Sequence, residues 1–227
     1  MNIYDIIGPV MVGPSSSHTA GAVRIGLVSR KLMNEEIAKA DILLHGSFYA
    51  TGKGHGTDLA LIAGLIGMRE DDDRIPVSFQ IAGERGMEYS FSGIILRDVH
   101  PNTALLKLTG ISGKYLEILG SSLGGGRIRI NQIDGLAVNF SGDYPTLIVQ
   151  NIDEPGRIAL VSSVLRDNQI NIAQMKLYRE NRGGKAVMVL ECDHEIRRET
   201  LRALEMADGV IKVSYYSVRD QEEVYYV

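Results

Sequence analysis

With 227 residues, the chain is long enough for one large domain or two smaller ones. Its formal net charge of −4 at pH 7 argues against nucleic acid as the main partner, because duplex binding usually needs a basic face. No apolar run reaches the roughly 18 residues of a membrane-spanning helix. Residues 1–5 lack the basic region of a secretory signal. We therefore expect a cytoplasmic protein that binds neither nucleic acid nor a membrane.

Cys192 is the only cysteine, so the chain has no internal disulfide. A single cysteine cannot hold a zinc–cysteine cluster or an iron–sulfur centre without ligands from another polypeptide. Cys192 ends the apolar run 186–192, which predicts a buried side chain. The sequence also lacks a His-x-x-x-His pair, and no carboxylate cluster accompanies His18 or His55. We predict no metal site on this chain.

The N-terminal part predicts a mixed α+β domain in which helices come first and strands follow. Apolar residues at helical spacing predict helices over residues 20–33 and 58–68, and a strand begins at 42–44 between them. The later segments predict strands over 77–82, 89–96, 104–109, 115–119, 127–131 and 136–139. Asp134-Gly135 is a favourable hairpin turn between the last two.

Residues 140–145 contain turn residues and a proline, which predicts a linker between two domains, 1–141 and 146–220. The second domain predicts strands over 146–150, 171–179, 185–192 and 210–218, and helices over 157–168 and 196–206. The resulting order, βαββαβ, is that of the ferredoxin-like split motif. Both domains therefore belong to the α+β class.

Two glycine-rich loops, each with a histidine and each leading into a predicted helix, stand out in the first quarter of the chain. The first is Gly13-Pro14-Ser15-Ser16-Ser17-His18-Thr19, and the second is Thr51-Gly52-Lys53-Gly54-His55-Gly56-Thr57-Asp58. A helix N-terminus offers unpaired N–H groups and a positive partial charge, which suit a phosphate or carboxylate. Hydroxyl groups and imidazoles add hydrogen bonding and proton transfer near neutral pH. We interpret the loops as two halves of one site for a polar small molecule.

Each loop also has a purely structural interpretation. The serines before His18 exceed what helix capping requires, but a serine-rich N-cap beside a solvent-exposed histidine would have the same sequence. The second loop is not a P-loop, because five residues separate Gly46 from Gly52-Lys53 and Gly54 follows the lysine. It fits an anion-binding loop or a tight strand-to-helix connection. A third glycine-rich segment, residues 121–127, fits a backbone nest for a carboxylate or a plain turn.

Taken together, the two histidine loops closely resemble those of the iron–sulfur-dependent L-serine dehydratases. The chain looks like the separate beta subunit of that family, because its single cysteine leaves no cysteine-bearing catalytic domain. The resemblance covers nearly the whole chain. The N-terminal part is similar to the allosteric substrate-binding domain also found in some phosphoglycerate dehydrogenases. The C-terminal βαββαβ unit looks like an ACT domain, a regulatory module that binds amino acids.

The resemblance implies a lyase that converts L-serine to pyruvate and ammonia, a reaction of amino-acid catabolism and gluconeogenesis. It also implies a hetero-oligomer in which a cysteine-bearing alpha subunit, and not this chain, holds a [4Fe–4S] cluster. An open iron of that cluster, acting as a Lewis acid, would bind the serine and assist departure of its hydroxyl. A base must then take the weakly acidic α-proton.

The resemblance further assigns roles to the loop residues. His18 is the leading candidate for the base or for the group that orients the substrate, and His55 is the second catalytic candidate. The residues expected to bind substrate come from both loops: Ser15, Ser16, Ser17 and Thr19 from the first, and Lys53, Gly54, Thr57 and Asp58 from the second.

In the ACT-like domain, the first turn and the start of the next helix are expected to face an amino-acid effector. The residues concerned are Asn151, Asp153, Gly156 and Ile158. Such domains often pair edge to edge, so we expect a homodimer with the effector at its interface; a purely structural dimerisation domain is the alternative.

A competing hypothesis for the whole chain is a regulatory protein that senses an anion or amino acid without catalysis. A proton acceptor at His18 distinguishes the two hypotheses, because a sensor needs hydroxyls and cations but no base.

Overall fold

The computed structural model describes residues 10–218, and the chain divides into two units, Met1–Gly135 and Leu136–Val227. The division lies a few residues before the predicted linker at 140–145. Residues 1–9, which include the segment tested for a secretory signal, lie outside the described residues, as do residues 219–220 of the predicted second domain.

The helices of the first unit form close to where apolar spacing predicts them. A helical turn of the π type, Ser16–Ala20, runs directly into α1 (Gly21–Met33). The other helices are α2 (Gly46–Ala50), α3 (Thr57–Leu65) and α4 (Ser78–Glu84). Two short 3₁₀ turns, Gly52–His55 and Ile75–Val77, precede α3 and α4. The predicted helices at 20–33 and 58–68 are therefore confirmed as α1 and α3.

Six strands form one sheet with the order β2-β1-β3-β4-β5-β6. They are β1 (Ile37–His45), β2 (Glu88–Ile94), β3 (Thr103–Gly110), β4 (Tyr115–Gly124), β5 (Arg127–Ile133) and β6 (Leu136–Phe140). The β1–β2 pair is parallel, and α2, α3 and α4 lie in the connection between them. The pairs β1–β3, β3–β4 and β4–β5 are antiparallel. The predicted hairpin turn is confirmed, since Asp134 and Gly135 have φ values of 51° and 76°, as a type I′ turn requires.

Helices α1 and α3 approach each other backbone to backbone through two glycines. A Cβ atom added to Gly64 would lie 2.1 Å from the carbonyl oxygen of Val23 and 2.9 Å from the Cα of Gly26. A Cβ added to Gly26 would lie 2.5 Å from the carbonyl oxygen of Leu61. Only glycine at both positions permits this approach, because any side chain would have to displace backbone atoms of the other helix.

The sequence prediction of a strand over residues 77–82 is wrong. The residues alternate in polarity, as they would in a strand, but they form the end of a 3₁₀ turn and helix α4. Ser78 and Ala82, four residues apart, are both fully buried, and the Ser78 hydroxyl donates to the carbonyl oxygen of Leu59 at 2.8 Å. Phe79 stacks on Tyr89 with ring centroids 5.1 Å apart. Contacts with α3 and β2 therefore override the local alternation.

The second unit confirms the predicted order βαββαβ. The elements that follow β6 are β7 (Thr146–Ile152), α5 (Arg157–Asp167), β8 (Ile172–Arg179), β9 (Lys185–Cys192), α6 (Arg198–Glu205) and β10 (Val210–Tyr216). The strands pair in the antiparallel order β10-β7-β9-β8. The core lies between this sheet and the two helices, with Leu147 and Val149 packing in one cluster with Leu165 and Leu204. Cys192 is buried in the same cluster, as predicted.

Within residues 10–218, none of the helices combines the length and the apolar character needed to cross a membrane.

The glycine contact between α1 and α3 generates a stability prediction. We expect Gly64→Ala to destabilise the chain by about 1–3 kcal/mol, because the added methyl group must push the two helices apart. Gly83→Ala is the matched control: Gly83 also lies in a helix, but a Cβ there meets nothing within 4 Å. That control should be neutral or stabilising by about 0.5–1 kcal/mol. Urea unfolding of both variants measures the difference, and equal stability of Gly64→Ala and the unaltered chain would contradict the role assigned to this contact.

Candidate functional site

The first loop turns into helix within a few residues because two of its members fix the chain. Gly13 has a φ of +132°, and a Cβ there would lie 2.4 Å from the side chain of Thr19. Ser15 accepts the backbone N–H of His18 at its hydroxyl oxygen (3.2 Å) and that of Thr19 at its carbonyl oxygen (2.8 Å). Ser15 thus caps the helical turn, and the His18 ring is left half-buried at its surface.

Helix α2 begins directly after β1 and brings two hydroxyl groups to His18. Ser47 and Thr51 are four residues apart, so they lie on the same side of this helical segment. His18 Nε2 is 3.1 Å from Ser47 Oγ and 3.2 Å from Thr51 Oγ1, and the two oxygens are 3.3 Å apart. The buried Phe48 meets the His18 ring edge to face at 5.5 Å between centroids. The imidazole is therefore held by two hydroxyls and one aromatic ring.

The second loop places His55 beside His18. Their ring centroids are 4.9 Å apart and the rings are inclined by 33°. His55 Nδ1 lies 3.0 Å from the carbonyl oxygen of Thr51, while Gly56, with a φ of +68°, turns the chain into α3. The Thr19 hydroxyl donates to the His55 carbonyl oxygen at 3.2 Å. The structure thus brings the two loops together, with a direct hydrogen bond between them.

The hydrogen bonds assign a tautomer to each histidine. A carbonyl oxygen only accepts, so His55 Nδ1 carries a proton and Nε2 of the neutral ring has a lone pair. The Thr51 hydroxyl donates to the Ser47 carbonyl oxygen at 3.0 Å and is therefore an acceptor toward His18. A proton on His18 Nε2 satisfies both hydroxyl oxygens and leaves the lone pair on Nδ1.

Burial lowers the pKa of His18 below its ordinary value of 6.5, and the neighbouring His55 lowers this pKa further. A hydrogen bond with the Ser47 backbone acts in the opposite direction but is the smallest of the three effects. His18 is consequently neutral at pH 7, and a neutral imidazole is able to accept a proton.

The remaining predicted substrate-binding residues lie around this pair at different depths. Ser16 and Ser17 are half-buried in the first helical turn, and Lys53 and Gly54 are exposed on the second loop. Asp58 sits at the start of α3, where its carboxylate accepts the backbone N–H of Leu59 at 2.9 Å.

Thr57 differs from its neighbours because its side chain is fully buried. Its hydroxyl has no hydrogen-bond partner in the described part of the chain. A Cβ added to Gly52 would lie 3.1 Å from this hydroxyl, so the glycine makes room for it. A buried hydroxyl without a partner is costly, so a hydrogen bond with a polar ligand group would stabilise it.

Sequence reasoning missed Ser47 and Thr51 as partners of His18. The only local signal is their spacing of four residues between a strand and a glycine-rich loop. Residues 121–127 turned out to be the end of β4 and a turn: Gly125 and Gly126 both have positive φ, and Gly126 accepts from Arg24 at its carbonyl oxygen. Ser121 is buried in β4, where it bonds to Thr103 at 2.7 Å.

The predicted effector residues of the second unit lie at the end of β7 and the start of α5. Asn151 is buried; its amide donates to the Ile152 carbonyl oxygen at 2.7 Å, while its own oxygen has no partner among the described residues. The Asp153 carboxylate accepts from the Gly183 backbone at 3.2 Å and lies 3.4 Å from Arg179. It thereby ties this turn to the β8–β9 hairpin.

Gly156 has a φ of +90° where the chain enters α5, and Ile158 is 42% exposed on the first turn of that helix. Between them, Arg157 bonds to Glu154 and to the carbonyl oxygen of Asp208. This guanidinium packs over Gly209, where a Cβ would lie 2.2 Å from its central carbon.

Residues 10–218 contain no group of three or more His, Cys, Asp or Glu side chains arranged to hold a metal ion. Burial raises the pKa of the Cys192 thiol to about 11, and the nearby Asp193 contributes to the same effect. A buried thiol with that pKa is not the exposed thiolate that a metal cluster binds. The described residues therefore do not fit an iron–sulfur cluster.

Comparison with known proteins finds relatives among the serine dehydratases. A family described as "Serine dehydratase beta chain" matches residues 2–88. The "Probable L-serine dehydratase, beta chain" of Bacillus subtilis is 41% identical over 213 residues, which are 94% of this chain and 96% of that protein. The "L-serine dehydratase, beta chain" of Peptoniphilus asaccharolyticus is 35% identical over 95% of this chain and 97% of its own length. The "L-serine dehydratase 2" of Escherichia coli is 36% identical over 95 residues, which are 38% of this chain but only 20% of that protein.

Two relatives of nearly equal length match almost end to end, and the family match spans both histidine loops of the candidate site. The chain therefore belongs to the serine dehydratase beta chain family.

Proposed function

We propose that this chain is the beta subunit of an L-serine dehydratase and that its two histidine loops form part of the site where L-serine is converted to pyruvate and ammonia. The observation that carries the proposal is the environment of His18, whose Nε2 lies within 3.2 Å of two hydroxyl oxygens and whose ring lies beside His55. Family membership supplies the reaction, and the loop geometry supplies candidate groups for its proton transfer.

His18 is the group that we propose as the base. Elimination from serine removes the α-proton and expels hydroxide, so an unprotonated base, which for an imidazole is the neutral ring, must stand next to the α-carbon. With a proton on Nε2 and a lone pair on Nδ1, the His18 ring would take the α-proton at Nδ1. Ser47 and Thr51 would hold the ring in this orientation, and the neighbouring His55 would favour the neutral form of His18 because two adjacent imidazoles are not readily charged together.

The surrounding polar groups suit the charged ends of a serine zwitterion. Lys53 and the hydroxyls of Ser16 and Ser17 are accessible and would bind its carboxylate. The unpartnered hydroxyl of Thr57 is a further candidate for a polar group of the substrate. Thr19 contributes indirectly, since its hydroxyl already joins the two loops.

We further propose that an alpha subunit completes the enzyme and holds the [4Fe–4S] cluster. Two relatives are named as beta chains, and the matched segment of the Escherichia coli dehydratase is a fifth of a much longer chain. The single, buried cysteine of this chain agrees with a cluster bound elsewhere.

For the second unit, we propose an ACT-like role in binding an amino-acid effector and in homodimerisation. The observed βαββαβ order and strand order support this role. The unpartnered oxygen of Asn151 would serve as a hydrogen-bond acceptor in the expected effector site. The left-handed turn at Gly156 would let the effector approach the backbone closely. Asp153 would fix the shape of this turn through its bonds to the β8–β9 hairpin.

The proposed function is tested by anaerobic purification of the tagged chain from its own cells, followed by an assay of pyruvate formation from L-serine. We expect a brown, cysteine-rich partner to co-purify and pyruvate to form only when both chains are present. Untagged cells taken through the same purification provide the control. Recovery of the chain alone, without pyruvate formation, would contradict the beta-subunit assignment.

The electrostatic role of His55 is tested by histidine titration. In an NMR titration of the full chain, the pKa of His18 should lie below 6.5, and His55→Asn should raise it, because the variant removes a neighbouring positive charge. His194→Asn, which changes an exposed histidine of the second unit, should leave this pKa unchanged. A His18 pKa above 6.5, or one insensitive to His55→Asn, would contradict the proposed coupling.

A further inference from the structure

A cavity lined by both charged and apolar residues lies at the opposite ends of the helices that carry the histidine loops. Its volume is about 80 Å³. The residues that line it include Arg30 near the end of α1, Leu65 and Ile66 at the end of α3, Arg85 and Met87 after α4, and Glu36 before β1. Arg30 follows His18 by 12 residues of helix, which corresponds to about 18 Å at 1.5 Å per residue. The cavity is therefore distinct from the histidine site.

Two guanidinium groups, those of Arg30 and Arg85, line this cavity together with Glu36. Arg85 donates one N–H to the carbonyl oxygen of Ile66 at 2.8 Å, and Arg30 donates one to the carbonyl oxygen of Glu35. Neither forms a salt bridge with any carboxylate in the described part of the chain. Since a guanidinium has five N–H donors, each arginine retains donors for a further acceptor.

Charges of both signs lie around the Arg30 guanidinium. Burial has the largest effect on the pKa of Arg30 and lowers it; Glu36 raises this pKa, the nearby Arg85 lowers it by less, and Glu35 raises it slightly. The planar fork of an arginine binds a carboxylate by two parallel N–H···O bonds, and an anion there would offset the repulsion that Arg85 exerts on Arg30.

We propose that Arg30 and Arg85 bind a small carboxylate of about three carbons in this cavity. The arginines would hold the carboxylate, and Leu65, Ile66 and Met87, all at most 8% exposed, would surround a methyl-sized group. At about 80 Å³, the cavity has roughly half the volume of an engineered cavity of about 150 Å³ that binds benzene, so its ligand should be small. The site does not depend on the proposed dehydratase activity.

Two classes of small carboxylate match this description, and they differ in the group on the α-carbon. A 2-oxo acid has a carbonyl next to its carboxylate, while an α-amino acid has an ammonium group. Glu36 lines the same cavity and is exposed at its rim, so it would attract an ammonium group and oppose a second anion. Glu36→Gln therefore separates the two classes, since it should weaken binding of the amino acid and leave or strengthen binding of the oxo acid.

The test is calorimetric titration of the full chain, at low chloride, with pyruvate and with L-alanine, neither of which has a hydroxyl to eliminate. We expect saturable binding of at least one probe, and we expect Arg85→Gln to weaken it roughly 10- to 100-fold. Arg85 is exposed, so this variant should fold. Arg30→Lys keeps the charge but loses the planar fork and should also weaken binding. Arg166→Gln, an equal charge change at an exposed arginine of α5, is the matched control and should bind normally.

His18→Asn separates this proposal from the dehydratase site. Binding that persists in His18→Asn and is lost in Arg85→Gln supports the cavity whether or not the chain proves to be a dehydratase subunit. The absence of saturable binding of both probes at millimolar concentration would overturn the proposal. Binding that is lost in His18→Asn but unchanged in Arg85→Gln would overturn it equally, because the ligand would then occupy the histidine site.

Discussion

The backbone contact between Gly26 and Gly64 is the constraint on which the candidate site depends. Helix α1 begins at the His18 loop and α3 begins just after the His55 loop, so the position of one helix against the other sets the distance between the imidazoles. A side chain at either glycine would collide with backbone atoms of the facing helix. Such atoms cannot move aside as a flexible side chain does, so the approach is rigid. The hydrogen bond from Thr19 to the His55 carbonyl then joins the loops themselves.

The sheet positions a further part of the site, the short helix α2. Strand β1 ends at His45, and Gly46, with a φ of +55°, starts α2 so closely against Pro101 that a Cβ would lie 2.6 Å from its carbonyl oxygen. This short helix presents Ser47 and Thr51 to His18 and buries Phe48 beneath them. Two segments distant in sequence, residues 13–19 and 46–58, therefore determine the orientation and the protonation of a single imidazole. Rigid placement of this kind is what general base catalysis requires.

Local sequence signals predicted those parts of the molecule that depend on local chemistry. Apolar residues at helical spacing were sufficient to predict α1 and α3. The Asp134-Gly135 pair predicted its hairpin turn, and alternating residues predicted strands of the second unit. The prediction of a strand over residues 77–82 failed because Ser78 and Ala82 are buried against neighbours that the local pattern does not reveal. The histidine loops could be singled out by composition. Ser47, Thr51 and the Arg30–Arg85 pair could not, since their partners are brought near by the fold and no spacing in the sequence encodes those contacts.

The central claim, that this chain supplies the base of a serine dehydratase, is tested most directly by His18→Asn in the assembled enzyme. General base catalysis typically contributes 10²- to 10⁴-fold, so we predict that kcat falls by about that factor while the alpha subunit still co-purifies. His194→Asn, at an exposed histidine of the second unit, should leave kcat unchanged. Full turnover by His18→Asn would contradict the account and leave His55 as the remaining histidine at the site.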